Sequence, residues 1–122
     1  MAKKRKSAVA AAGFALLIAG GHPSFAMTVE DLYGACVSAD RNVQDVCSKY
    51  ILGAADGISK AALLLNDHSL FCLPGNVPEG ALVDVFVREV RPILADASKS
   101  VGRMSAISFV ASALMTAFPC HQ

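Results

Sequence analysis

The 122-residue chain contains no tryptophan, and it has few of the residues that nucleic-acid-binding surfaces need. The only cluster of basic residues is Lys3–Lys6, close to the start. From Met27 onward seven Lys and Arg stand against ten Asp and Glu, a formal excess of three negative charges. Because this part has no basic patch, the balance argues against nucleic acid or an anionic membrane surface as a partner.

Residues that could support catalysis are also scarce. Beyond Met27 there are two histidines, His68 and His121, and neither lies in a recognisable nucleophile motif. Asp45 and Asp56 belong to one predicted helix, but their carboxylates would lie about 16 Å apart along its axis. That separation is too large for paired acid and base chemistry. We therefore expect no enzymatic activity and no cofactor.

The start of the chain has the three parts of a secretory signal peptide. Basic Lys3–Lys6 precede an apolar run, Ala8–Gly20, and Ser24-Phe25-Ala26 provides a cleavage site after Ala26. The apolar run of about a dozen residues is short for a membrane span, which needs roughly 20. We expect residues 1–26 to be removed, leaving residues 27–122 as a single domain without a membrane anchor, free in the periplasm.

Apolar residues recur with helical periodicity almost throughout the rest of the chain. The first predicted helix follows Thr28, a suitable N-cap, with Asp31 placed to complete a capping box. A second apolar stripe runs from Val43 to Leu65. Gly53 and Gly57 lie on one face of this second helix and each costs about 1 kcal/mol relative to alanine. We expect them to let another helix approach closely, with a bend in the helix as the alternative.

A loop over residues 66–77 separates this helix from a third, which opens at Pro78. Pro92 either ends the third helix or starts the next. The last stripe, Leu94–Phe118, predicts a fourth helix that is the longest and ends at Pro119. No segment has the pattern of a strand. The fold class expected is all-α, a small disulfide-stapled bundle of four to five helices.

The four cysteines allow three pairings, and geometry separates them. Cys36 near the end of the first helix and Cys47 in the first turn of the second meet in an antiparallel hairpin. The second helix places Cys72 roughly 25 Å from Cys47, which leaves Cys72 to pair with Cys120. Zinc is the alternative, but no Cys-x-x-Cys occurs and an exported chain favours disulfides. We expect no metal.

An ordered set of residues extends along most of the chain after Met27: Cys47-x-x-Tyr50-x-x-Gly53-x-x-x-Gly57, Phe71-Cys72-x-Pro74, Val77, Pro92 and Ala113-Leu114-x-x-Ala117-Phe118-Pro119-Cys120. This set resembles the Rap/Tai family of periplasmic immunity proteins. Small secreted helical proteins of that family protect bacteria from peptidoglycan amidase effectors delivered by type VI secretion. The resemblance implies the Cys72–Cys120 disulfide, helix packing by Tyr50 with Gly53 and Gly57, and pairing into a homodimer.

The resemblance implies no inhibitory surface, but on physical grounds the loop tied down at Cys72 is the candidate inhibitory element. We expect it to bind an amidase effector and occlude its active site, because a preorganised loop loses little freedom on association. The alternative is that Leu70 and Phe71 only cap the core. The candidate partner-binding residues are Asp67, His68, Ser69, Leu70 and Phe71.

A different class of protein also fits a small helical exported chain. A periplasmic acid-stress holdase chaperone would loosen when its carboxylates become protonated and would then expose apolar surface. Such chaperones usually contain one disulfide, however, whereas two are expected here. Binding of unfolded clients in acid would favour the holdase, and tight capture of a cell-wall hydrolase would favour immunity.

Overall fold

The computed structural model describes residues 26–66 and 68–121, so the predicted signal peptide lies outside the described residues except for Ala26. In these residues the chain forms four α-helices, a single 3-10 turn and no strand, which confirms the all-α fold class. The elements are α1 Val29–Cys36, α2 Arg41–Asn66, α3 Glu79–Ala95, the 3-10 turn Ser100–Arg103, and α4 Ala106–Ala117.

Helix α1 begins where the sequence predicts, with a complete capping box. The Thr28 hydroxyl accepts a hydrogen bond from the Asp31 backbone N–H at 3.2 Å, and the Asp31 carboxylate accepts from the Thr28 N–H at 3.4 Å. Next to this cap, the Val29 N–H donates to the Met104 carbonyl and the Ala106 N–H donates to the Met27 carbonyl, both at 2.9 Å. This short backbone bridge joins the start of α1 to the start of α4.

Helix α2 has 26 residues and is the longest element. Its buried face is the middle of the predicted stripe, because Cys47 and Ile51 are fully buried. The prediction is wrong at both ends, where Val46 is 51% exposed and Leu65 80% exposed. At about 1.5 Å per residue, α2 extends for about 39 Å. The shorter helices around it cover its middle only.

Gly53 and Gly57 do not lie against another helix of this chain. Both glycines are exposed, and a Cβ atom at either position would meet no atom within 4 Å. Buried Ala54 and Ala55 show which face of α2 points to the core. A turn of about 100° per residue sends Gly53 and Gly57 away from that face. Tyr50 is half-buried and packs against the core, in line with a packing role.

Pro92 neither ends α3 nor starts a new helix, since α3 continues through it to Ala95. Proline removes one backbone donor, the one that would bond to Arg88, and its ring crowds that carbonyl. Pro92 is exposed, so the Arg88 carbonyl is left on the solvent side of the helix. The apolar face of α3, with Phe86 and Val90 buried, is therefore kept on both sides of the proline.

The predicted long fourth helix is wrong in its first half. After α3, the Asp96 carboxylate accepts hydrogen bonds from the Ser98 N–H at 3.1 Å and the Ser98 hydroxyl at 2.6 Å. This arrangement is an Asx turn, which competes with helix. The turn leads into the 3-10 segment, and α4 starts only at Ala106. Its end at Ala117, two residues before Pro119, agrees with the predicted termination.

The core lies where the four helices meet, and no buried polar or charged side chain occurs among the described residues. Two disulfides staple it in the expected pairing: Cys36 with Cys47, Cα atoms 5.0 Å apart, and Cys72 with Cys120, Cα atoms 4.9 Å apart. The largest fully buried side chains are Phe86, Leu32, Ile51, Leu114, Val29, Val90, Val110 and Cys47.

Candidate partner-binding loop

The segment between α2 and α3 has no regular secondary structure among its described residues, yet it is anchored at two points. At the first point, Phe71 is only 3% exposed and packs in the core, and the Cys72 N–H donates to the Phe118 carbonyl at 2.8 Å. The Cys72–Cys120 disulfide adds a covalent link there. At the second point, Val77 is half-buried against the core. The loop is therefore held on both sides of its tip.

Between the anchors, the tip of residues 73–76 is exposed to solvent. Before the first anchor, His68 is exposed, Ser69 is half-buried and Leu70 is 43% exposed. Asp67, also a candidate, lies outside the described residues. The burial of Phe71 matches the alternative interpretation, a core contact. Leu70, in contrast, points out of the core and is available to a partner.

Three leucines at the end of α2 extend this exposed apolar surface towards the loop. Leu63 is 49% exposed, Leu64 85% and Leu65 80%. Three consecutive helical residues are spread over about 200° of the helix, so they could not all face the core. The predicted stripe includes Leu65 but not Leu63 or Leu64, so the run of three leucines is the sequence signal that could have indicated this exposed surface. We call Leu63, Leu64, Leu65, Leu70 and Leu73 the leucine surface.

The leucine surface has few charged residues near it in the sequence. Residues 61–66 and 68–78 contain no Asp, Glu, Lys or Arg, and the charged residue between these two ranges is Asp67, which lies outside the described residues. On α2, Lys60 and Asp56 form an exposed ion pair at 3.7 Å. Exposed apolar patches on a small protein are typical of interaction sites, and leucine side chains suit an apolar or aromatic pocket on a partner.

A separate cleft of about 430 Å³ lies between α1 and the segment after α3. Opposite charges line it, with Glu30 and Asp96 facing Lys99 and Arg103. The two Ser98 hydrogen bonds, with a smaller contribution from Lys99, lower the pKa of the Asp96 carboxyl from its ordinary value. The cleft contains none of the residues predicted from the sequence to bind a partner.

In the described part of the chain, no group of three or more His, Cys, Asp or Glu side chains is placed to hold a metal ion. None of the helices described here is both long enough and apolar enough to cross a membrane.

A family model described as Rap1a immunity proteins matches residues 28–120. The chain belongs to this family. The match begins at the N-cap Thr28 and ends at Cys120, so both disulfides and the whole loop lie inside it. No significant match was found among curated proteins or solved structures. Membership in the Rap1a family indicates an immunity protein, and immunity proteins act by binding an effector protein.

Proposed function

We propose that this Rap1a-family protein is a periplasmic antidote that binds a type VI-secreted peptidoglycan amidase and occludes its active site. The observation that carries the proposal is a loop anchored by Phe71 and Cys72, with exposed Leu70 and Leu73 on either side of the anchor. Family membership supports the immunity role, and the loop supplies the means of inhibition.

The physical argument is one of preorganisation. A flexible loop that inserts into an enzyme cleft must lose conformational freedom, and this ordering cost reduces affinity. Here the backbone hydrogen bond at Cys72 and the packing of Phe71 and Val77 have already restricted the loop before binding. Leucine side chains that enter a desolvated pocket then contribute mainly through burial of apolar area. Inhibition of this kind requires no catalytic group on the antidote.

The proposed compartment follows from the same chemistry. Disulfides persist in oxidising compartments such as the periplasm, where peptidoglycan and an incoming amidase would also be found. Export would use the signal peptide predicted over residues 1–26, leaving the single domain of residues 27–122. The homodimer implied by the family resemblance is part of the proposal, and the exposed face of α2 with Gly53 and Gly57 is available to a second copy.

The experiment first captures the effector with oxidised residues 27–122 as bait, and then titrates this protein into a digest of purified peptidoglycan by the captured amidase. Released muropeptides give the rate. We expect stoichiometric loss of activity with the wild-type chain. Leu70→Asp and Leu73→Asp should each raise the concentration needed for half inhibition by about tenfold or more, because burying an unpaired carboxylate opposes association.

Val46→Asp is the matched control, since Val46 is a comparably exposed apolar residue at the opposite end of α2. It should inhibit like the wild-type chain. Equal inhibition by all four proteins would refute the loop as the inhibitory element, and no inhibition by the wild-type chain would refute the antidote function.

The holdase alternative is favoured by one observation, the high exposure of Leu64 and Leu65, since apolar surface also binds unfolded chains. Light scattering of an aggregating client at pH 7 and in acid separates the two functions. An antidote leaves client aggregation unchanged at both pH values. Suppressed aggregation in acid, together with no inhibition of the amidase, would move the assignment to the chaperone.

A further inference from the structure

The two disulfides lie in different surroundings. Cys36–Cys47 links the end of α1 to the start of α2 across a sequence separation of 11, and Cys47 is fully buried. The two helices it links also pack through the buried side chains of Leu32 and Ile51. This disulfide therefore reinforces contacts that the core already makes.

Cys72–Cys120 links the loop to the segment after α4, and neither segment has regular secondary structure. Its sequence separation is 48, Cys72 is exposed, and the residues after α4 have no regular secondary structure as far as His121. Apart from the disulfide, the loop is held at this point by Phe71 in the core and by one backbone hydrogen bond to Phe118. The crosslink lies between the exposed Leu70 and the exposed tip of residues 73–76.

We infer that Cys72 and Cys120 form a positioning crosslink for partner binding, whereas Cys36 and Cys47 form a crosslink for stability alone. The inference rests on the proposed function for its binding half. Loss of Cys72–Cys120 leaves the core of the bundle in place but frees the loop and the C-terminal segment together. The binding energy must then order both, so the affinity for the effector falls.

Oxidation consequently determines when the chain can bind. Two thiols become one disulfide by exchange with a disulfide donor, which takes up the two electrons and two protons and leaves as a dithiol. A chain kept in a reducing compartment would have a mobile loop and would bind its effector poorly. The antidote becomes fully competent only after export.

The test compares Cys72→Ala/Cys120→Ala with Cys36→Ala/Cys47→Ala as the matched control. Both variants should have a lower Tm. At a temperature well below both transitions, we expect the first variant to lose about tenfold or more in affinity for the amidase by calorimetry. The control should stay within about threefold of wild type, because its loop contacts are intact. An equal loss in both variants, or no loss in the first, overturns the inference.

Hydrogen exchange provides a readout that does not depend on the effector. The backbone amides between residues 68 and 77 should exchange faster in the first variant, with the amide of residue 72 affected most, and at the wild-type rate in the control. If the wild-type chain binds no amidase but this pattern appears, the proposed function fails and the positioning role stands. Unchanged exchange at these amides overturns the positioning role.

Should the first variant fail to fold, limited reduction of the wild-type chain replaces it. Cys72 is exposed and Cys47 is buried, so dithiothreitol followed by alkylation should open Cys72–Cys120 first. Mass spectrometry of peptides identifies which disulfide was opened. The same affinity loss and the same faster exchange are expected, and their absence in the singly reduced product overturns the inference.

Discussion

Leu70 and Phe71 are neighbours in the chain with opposite environments. Phe71 is 3% exposed and packs in the core, and Leu70 is 43% exposed. The aromatic side chain is therefore an anchor, and the leucine next to it is available to a partner. A similar contrast occurs on α2, where Ala54 and Ala55 are buried and Gly53 is exposed. At this scale, adjacent residues with different roles cannot be told apart by hydrophobicity alone.

Replacing each exposed glycine of α2 tests the packing around it. Because a Cβ at Gly53 or Gly57 meets no atom within 4 Å, Gly53→Ala and Gly57→Ala should each stabilise the chain. The expected gain is about 1 kcal/mol in the free energy of unfolding, measured by chemical denaturation at low protein concentration. A loss of stability at either position would contradict the open space around these glycines, whereas weaker self-association of the variants in sedimentation would support the proposed homodimer on this face.

The pKa of the Asp96 carboxyl, in the turn after α3, determines how this residue's contribution to stability changes with pH. The folded pKa is lowered, first by the Ser98 hydroxyl and then by the Ser98 backbone N–H, so the ionised form stabilises the fold. This contribution is present above the unfolded pKa of about 3.9 and is lost as the pH falls through the folded pKa. Asp96→Asn should lower the Tm at pH 7, and the difference from wild type should shrink as the pH falls through the folded pKa of Asp96. A difference that is constant with pH would contradict this.

At the scale of elements, a helix boundary was predicted correctly where the residues that determine it are close together in the sequence. The start of α1 was predictable because Thr28 and Asp31, which lie within four residues of each other, form a capping box. The junction of α3 and α4 was not, because apolar spacing continued across it. There the competing signal was the short polar sequence around Asp96 and Ser98, whose hydrogen bonds replace helical ones.

Helices α1 and α4 start next to each other at the backbone bridge. The residue that precedes each helix can be replaced to give a matched pair of variants. Thr28→Ala removes both hydrogen bonds of the capping box and should cost about 1 kcal/mol of unfolding free energy. Ser105→Ala is the control, since the Ser105 side chain makes no capping hydrogen bond to α4. It should change the stability by much less. Similar losses in the two variants, by urea denaturation, would argue against the capping box as the cause.

At the scale of the whole molecule, the positions of the cysteines and the lengths of the helices predicted the disulfide pairing. They did not predict which apolar side chains are exposed. Pairing of Cys72 with Cys120 followed from helix length, and it brings the loop to the residues after α4. Which leucines would be exposed did not follow, because that depends on how far α2 extends past its neighbours. The ends of a 26-residue helix are not fully covered by helices of 8, 17 and 12 residues. The exposure of Leu63, Leu64 and Leu65 is a consequence of that mismatch.

Hydrogen exchange of oxidised residues 27–122, with and without the amidase, tests most directly whether the loop inserts into the effector. Inhibition by an inserted loop predicts slower exchange across residues 68–76 in the complex, with no change around the charged cleft at residues 96–103. Slower exchange at the cleft with an unchanged loop would contradict the proposed mode of binding. Exchange that is identical throughout would contradict the antidote function itself.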